Sequence, residues 1–535
     1  MSQKNPEWLT KYPAEIFFGV QGTKLDAYAV ALEGWRRGLT LKWHSKDTPA
    51  FKEMKTWYVN RPGQLFSLQD QDKIHYFFRT RGDLVSNQAV EIGADKWLTK
   101  THLNNADVPV PKGQKFVSKS SDQEIIDYAL GLGFPLVIKP TDDSFGRGVI
   151  ANILNIEDFR TALKYTRHQQ QYKNIIVEEH VSGDDYRLYV VGEQVVGAIK
   201  RTPPHIVGDG KSSIKKLIKR KNKIRKKNPR LASCLIKIDQ ELIRFLQKNG
   251  KTLRSVPKLN EQIQLNDKNN ISIGGDAVDR LDQLTEEVKS IAVSAVKAIP
   301  NLYHCGVDMM IDHKENKAVV IEINPTAQIG SLLFPGEGKA RDIPAAIIDL
   351  YFPKSTPIGG DKPAVYFSFN DEIGILGNRS LQSINISNAP VGNLVKSVYK
   401  LKGRVSSRKL LTKIRKQVLL NEHIHGYIKK ESYNEIKIVT ITNNLQKLKE
   451  FELFLEKLSN KINVVKKTDV NITRPVKIGF SMIGKNNLIL KFKRRSYQYK
   501  ILRMILACFE LMSSIIQSSL TSRIIRRWRN KRSKL

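Results

Sequence analysis

Cysteine is almost absent from this chain of 535 residues: Cys234, Cys305 and Cys508 stand alone, with no CxxC pair and no clustered histidines. That excludes a disulfide-stapled scaffold, leaves no ligand set for a zinc or iron–sulfur centre, and points to a reducing compartment. The first residues, Met1 to Trp8, lack the apolar run of a secretory signal and the Arg/Ser-rich character of a transit peptide. A cytoplasmic location is expected. There is no repeat of solenoid period. Nor is there a P-loop: Gly208-Asp-Gly-Lys-Ser212 ends like one, but position 205 is His where the first glycine is required.

What is present is a globular composition, 41% hydrophobic and 26% charged, long enough for two to four domains. The net charge of +37 is concentrated in one region. From Lys354 to Leu535, 37 Lys and Arg face 11 Asp and Glu, which places +26 in the last third. Such a field favours anionic partners and says nothing about chemistry. The hydrophobic pattern suggests a small α/β domain over residues 1–94, with strands at 15–20 and 73–78 and a helix at 25–37. A mixed α/β enzyme body follows over 95–353, with strands at 135–138, 175–177, 187–191, 306–311 and 318–323 and helices at 122–130, 156–168 and 285–299. Nine basic residues between Lys215 and Lys227 read as an exposed, solvated stretch. Residues 354–490 form a basic region without assignable chemistry, and 491–535 a basic amphipathic tail.

Three elements carry chemistry. In the first, Phe134-Pro-Leu-Val-Ile-Lys139-Pro140 leads into Thr141-Asp-Asp-Ser-Phe-Gly146-Arg-Gly148, a strand-end lysine before a glycine loop, able to set an ammonium and backbone N–H groups around phosphates. The second is Ile176-Val-Glu178-Glu-His-Val181-Ser-Gly-Asp-Asp185-Tyr-Arg187, a strand and extended link along which an adenosine can lie, with Asp185 on the ribose hydroxyls. In the third, Gly306-Val-Asp308-Met-Met-Ile-Asp312 and Ala318-Val-Val-Ile-Glu322-Ile-Asn324-Pro325 form two apolar strands joined by a short turn. The two-residue period puts Glu322 and Asn324 on one face, with Asp308 opposite. Two carboxylates and an amide oxygen suit Mg²⁺, and acids inside hydrophobic strands are costly unless paired or metal-bound.

Together these residues resemble the ATP-grasp superfamily, in which two α/β subdomains clamp one nucleotide. The segment Gly93-Ala-Asp-Lys96-Trp-Leu-Thr-Lys-Thr-His-Leu103 looks like that family's entry motif. A closer resemblance is to the ATP-grasp module of cyanophycin synthetases and fused bacterial glutathione synthetases, carried by Lys139 to Val149, Gly183 to Val191, Arg201 to Ser213, Asn270 to Gly275 and Phe334 to Gly338. The chain departs from them at Pro325-Thr-Ala-Gln-Ile-Gly330, shows no Mur-ligase-like P-loop module, and begins unlike a glutamate–cysteine ligase.

The resemblance implies an α/β (α+β) ATP-grasp fold, preceded by the small α/β domain and followed by the basic region. It implies a carboxylate–amine ligase that uses ATP and Mg²⁺ (or Mn²⁺), acts on amino acids or peptides through an acyl phosphate, and releases ADP. Lys96, Lys139, Gly146 and Gly148 would bind phosphates, Glu178 and Val181 adenine, and Asp185 ribose, while Asp308, Glu322 and Asn324 would hold the metals. Arg187 shares the strand face of Asp185, and with Arg201 would stabilise the γ-phosphate or acyl phosphate. Asn270, Ser272, Gly274 and Gly275 would line an acceptor pocket, their glycines offering N–H donors to a substrate carboxylate. The alternative is a non-catalytic ATP-binding protein anchored to a membrane or nucleic acid by its basic C-terminus. For the tail, an apolar run between basic clusters from Lys491 is expected to rest on an anionic membrane surface, at the inner membrane face. A helix docked on its own chain is the competing arrangement, and nucleic-acid binding has no motif beyond charge.

Overall fold

The computed structural model describes residues 6–59, 61–141, 148–315, 317–356, 365–377, 381–390, 392, 394–403, 405, 408–419, 423–458, 462–467 and 475–483. Gly146, Cys508 and the tail from Lys491 lie outside the described residues. Two compact units emerge, one of residues 1–395 with 471–478, the other of 396–470 with 479–535.

The first unit opens on α1 (Thr23–Arg36), buried on almost every side. It packs on β2 of an antiparallel sheet made of β1 (Thr40–His44), β2 (Leu65–Gln69), β3 (Ile74–Phe78) and β4 (Arg81–Gly82). A strand from far along the chain, Ser383–Asn385, extends this sheet beside β1, so the first unit runs well past residue 353. The strand expected at 15–20 is instead one turn of 3₁₀ helix, Ala14–Phe17. Pro13 fixes the entry, its carbonyl accepts the Ile16 N–H, and Phe17 turns inward onto Tyr12, Tyr28 and Phe334 while Phe18 stays exposed.

Two helices, α2 (Asn87–Ala94) and α3 (Lys96–Asn105), lead into a four-stranded sheet. Its strands are β5 (Gly113–Phe116), β6 (Leu136–Pro140), β7 (Ile150–Ile153) and β8 (Ile175–Glu179), in the order β5-β8-β6-β7. Helices α4 (Asp122–Leu132) and α5 (Ile156–Lys164), capped by Ser121 and Asn155, cover one face around Ile125, Leu136, Ile138, Phe159, Ile175 and Val177. The period of two therefore sends Lys139 and Glu178 to the other face.

The second large sheet begins with the hairpin β9 (Asp184–Val191) and β10 (Gln194–Thr202). A side lobe follows, formed by β11 (His205–Val207), α6 (Ile214–Arg225), α7 (Gln240–Lys248) and β12 (Gln262–Gln264) around Ile214, Leu217, Ile218, Leu242, Leu246 and Ile263. The basic stretch expected to be wholly solvated is thus an amphipathic helix: Ile214, Leu217, Ile218 and Arg225 are buried, and only the remaining face is wet. The sheet resumes with β13 (Asp276–Asp279), then, after α8 (Glu286–Lys297), with β14 (His304–Asp312) and β15 (Lys317–Asn324), in the order β13-β10-β9-β14-β15. Helix α8 packs against one face, where Leu188, Val190, Ala198, Val307, Met309 and Ile323 are buried. The unit continues through a short turn, α9 (Gly330–Leu333), and α10 (Ile343–Tyr351).

The second unit has the βαββαβ order of a ferredoxin-like domain: Val395–Gly403, Arg408–Leu419, His425–Lys430, Glu435–Thr442, Leu445–Glu456 and Ile462–Lys467. Its sheet places the fourth of these strands beside the first, then the third and second, and Phe480–Ile483 adds an edge parallel to the second. No helix among the described residues is long and apolar enough to cross a membrane.

Candidate active site

The free face of the second sheet gathers charge in two cross-strand rows. Arg201 of β10 pairs with Asp185 of β9 in one row, and Arg187 of β9 pairs with Asp308 of β14 and, across it, Glu322 of β15 in the next. Asn324 lies one row further on, opposite Gly306. A bulge makes this possible: Asp308 faces Glu322 but Met309 faces Val320, so Ile321 is extra. Without it Ala318 and Val320 would share the face of Glu322; with it they join Ile323 in the apolar core and Glu322 turns to the charged side.

Arg187 grips Asp308 through both oxygens, Nε to Oδ1 and Nη2 to Oδ2 at 2.7 Å each, and Arg201 Nη1 donates to Oδ2 at 3.1 Å. Arg201 also donates to Asp185 Oδ1 from Nε at 2.8 Å. Burial works against the Asp308 carboxylate, but Arg187 and Arg201 outweigh it and hold its pKa down at about 2. Asp185 is raised by burial, opposed by Arg201. Glu322 is raised too, by burial and then by the Asp308 charge, with Lys96, Arg187 and Arg201 opposing. Asn324 Oδ1 accepts the Thr326 N–H at 3.1 Å, which starts the turn into α9. Gly93 of α2 leaves no room for a side chain against Pro325, and Gly306 none against Ala327, so this turn packs closely on both.

The free face of the first sheet carries the other cluster. Glu178 Oε2 accepts from Lys100 Nζ at 2.9 Å, and Glu178 Oε1 pairs with Lys139. All three are buried, Lys139 and Lys100 at 6% exposure and Glu178 at 3%. Two ammoniums share one carboxylate, an excess of buried positive charge that suits a phosphate. Helix α3 links the two clusters. Asp95 caps it through the Trp97 and Leu98 N–H groups, the Lys96 N–H binds the Thr141 carbonyl just beyond β6, and Lys96 acts electrostatically on Glu322 while Lys100, one turn on, reaches Glu178. Sequence reasoning missed Lys100; its signal was the four-residue spacing from Lys96 on one helix face.

These contacts gather Lys139, Lys100 and Glu178 on one sheet and Asp185, Arg187, Arg201, Asp308 and Glu322 on the other, with Asn324 one row on and Lys96 on the helix between them. Gly148 has a left-handed backbone (φ 68°) with Tyr172 packed against it, and Val181 sits half-buried in the link between β8 and β9. The 270–275 turn joins Arg201 through the β10–β13 pairing. Its glycine N–H groups, expected to be free for a substrate, are used inside the turn: Gly274 donates to the Ile271 carbonyl and Gly275 to that of Asn270. The glycines are needed because Gly274 lies against Ile236 and Gly275 against the Thr202 carbonyl; Ser272 is exposed.

A model of the RimK-like ATP-grasp domain matches residues 93–233, and a further ATP-grasp domain model matches 204–328. Residues 93–328 are an ATP-grasp domain. They contain both clusters and the helix that links them. The chain is 33% identical over 358 residues to the bifunctional glutathione biosynthesis protein of Clostridium perfringens, covering 65% of this chain and 43% of that protein. It is 32% identical over 275 residues to the cyanophycin synthetase of Synechocystis, covering 50% of this chain and 31% of the relative. The crystal structure of a bifunctional glutathione synthetase from Pasteurella multocida superposes with a TM-score of 0.44 at 28% identity, over 54% of this chain and 41% of that one. The chain spans less than half the length of these relatives. The ferredoxin-like unit lies beyond both family models.

Proposed function

We propose that this protein is an ATP-dependent carboxylate–amine ligase that activates a carboxylate as an acyl phosphate and releases ADP and phosphate. The observation that carries the reading is a pair of charged clusters of complementary character, linked by α3. One is cationic around Lys139 and Lys100, and the other sets Asp308 and Glu322 beside Arg187 and Arg201.

The donor set fits a divalent cation. Glu322 is a half-buried carboxylate facing another carboxylate and accepting no hydrogen bond among the described residues, and Asp308 and Asn324 add hard oxygens beside it. Asp308, Glu322 and Asn324 would hold Mg²⁺ (or Mn²⁺), which supplies charge neutralisation at the phosphates. The chain's own groups do the rest. Lys139, Lys100 and Lys96 receive the phosphates of ATP; the strand and link from Glu178 through Val181 to Asp185 hold the adenosine. Arg187 and Arg201 lie where charge builds on the transferred phosphoryl group. A substrate carboxylate oxygen bonds to the γ-phosphorus as its bond to ADP breaks. An amine nitrogen then bonds to the acyl carbon, the phosphate leaves with the bonding electrons, and the nitrogen gives up a proton. The substrates are amino acids or small peptides. Keeping Glu322 half-buried and opposite the Asp308 carboxylate is costly unless a cation uses it, which favours a working site over a vestigial one.

Purified protein incubated with Mg-ATP and amino-acid mixtures should release ADP together with a new amide, seen as a mass lower than its parts by one water. ATP turnover without any amide would remove the ligase reading. For the tail from Lys491, the reading is attachment to an anionic membrane surface. Sedimentation with anionic vesicles should carry down the full chain and leave one stopped at Leu490 in the supernatant; equal recovery of both in the supernatant would reject it.

A further inference from the structure

Helix α6 has two unlike faces. At about 100° per residue, Lys215, Lys216, Lys219 and Lys223 fall with Arg220 in an arc of about 140°, and Lys226 and Lys227 follow just past its end. All of them are exposed. Arg220 is paired to Asp209 at 2.6 Å; the six lysines have no acidic partner among the described residues. Uncompensated cations at this density repel one another and favour a matching anion.

At its C-terminal end this face opens onto a cleft of about 280 Å³. Trp8, Ile224, Leu231 and Val278 supply apolar walls, and Ile224 is 66% exposed at the rim beside Lys227. The cleft is held rigidly. Trp8 Nε1 donates to the Pro335 carbonyl at 3.2 Å and its ring stands edge-on to Phe334, while Asp276 is clamped by Lys221 at 2.5 Å and by Arg225 at 2.6 Å.

We propose that the lysine face of α6 and the cleft at its end form a docking site for an acidic polypeptide segment bearing an apolar anchor residue. Charge complementarity selects the acidic partner, and the apolar walls select a side chain of leucine size. A nucleic acid fits less well, for two reasons. The unpaired cations are all lysine, without the arginine forks that grip phosphate. No exposed aromatic ring on this face offers a stacking platform among the described residues. A lipid surface is disfavoured because Ile224 is the lone exposed apolar residue of the helix.

The test uses the full chain without ATP, so its outcome is independent of the ligase reading. Short fluorescein-labelled peptides, one all glutamate and one with a leucine near its end, are compared by anisotropy with an RNA oligomer of equal charge. The leucine-bearing peptide should bind most tightly and the RNA least. The triple variant Lys215→Glu, Lys219→Glu, Lys223→Glu should lose at least about tenfold in affinity for both peptides. Ile224→Asp, at an exposed position that tolerates it, should abolish the preference for leucine. Circular dichroism and thermal melts of the same variants check the fold and should match the parent. Undiminished binding by the triple variant, no preference for leucine in the parent, or tighter binding of RNA would overturn the proposal.

Discussion

Asp308 and Glu322 face each other across one strand pair, yet their effects on stability should have opposite signs. Asp308, with 8% of its side chain exposed, is held near pKa 2 against an ordinary 3.8 by Arg187 and Arg201. A depression of this size is worth about 2 kcal/mol at neutral pH. Asp308→Asn removes that pairing and leaves two guanidiniums short of charge, so the melting temperature should fall by roughly 2–4 °C. Glu322 is raised instead, by burial and by Asp308, so its ionised form is a burden on the fold. Glu322→Gln should leave the metal-free protein as stable as the parent or more so, while abolishing turnover. The pH dependence separates them further. The Asp308 contribution is full above 3.8 and is lost as pH falls toward 2. The Glu322 burden grows as pH rises from about 4.5 through its elevated folded value, and this slope should vanish in Glu322→Gln. Thermal melts of both variants in EDTA, from acid to neutral pH, read all of this. Equal destabilisation by the two substitutions would refute the electrostatic reasoning.

Lys100→Met should weaken ATP binding by about tenfold in calorimetry while Lys139 keeps Glu178 paired; unchanged affinity would remove Lys100 from the phosphate site. Gly93→Ala places a methyl 2.7 Å from Pro325 Cδ, so it should cost about 1–3 kcal/mol and raise the Mg²⁺ concentration needed for half-maximal ATP binding by displacing Asn324. Asp26 is buried in α1, accepts the Ile329 and Gly330 N–H groups, and has its pKa pushed up to about 6 by burial. Its ionisation costs stability as pH rises from 3.8 through 6. Asp26→Asn keeps the acceptor and should therefore gain stability over the parent at pH 7.5 but not at pH 4, as urea unfolding at the two values would show.

Much of the site was legible because its chemistry conflicts with its surroundings. Asp308 and Glu322 interrupt apolar strands, and Lys139 ends one before a proline; such residues stand out without any structure. What the sequence hid was set by tertiary pairing. The extra Ile321 cannot be seen in a run of Val319, Val320 and Ile321, although it is what puts Ala318 and Val320 into the core and Glu322 on the charged face. Lys100 was obscured among polar helix residues. In α6 the density of lysine masked a buried stripe of Ile214, Leu217 and Ile218. The turn at 14–17 looked like a strand because Ile16, Phe17 and Phe18 are all apolar, and only Pro13 argued otherwise. The ferredoxin-like unit was lost in Lys-rich and Asn-rich composition, since the order of its strands depends on pairings distant in sequence.

The most direct test of the ligase mechanism follows the oxygen atoms. Protein is incubated with Mg-ATP and an amino-acid mixture whose carboxyl oxygens are 18O, and the phosphorus products are read by mass spectrometry. An acyl phosphate predicts 18O in inorganic phosphate, ADP as the nucleotide product, and no label transfer by Glu322→Gln. Appearance of 18O in AMP, with release of pyrophosphate, would contradict it and identify an adenylating enzyme instead.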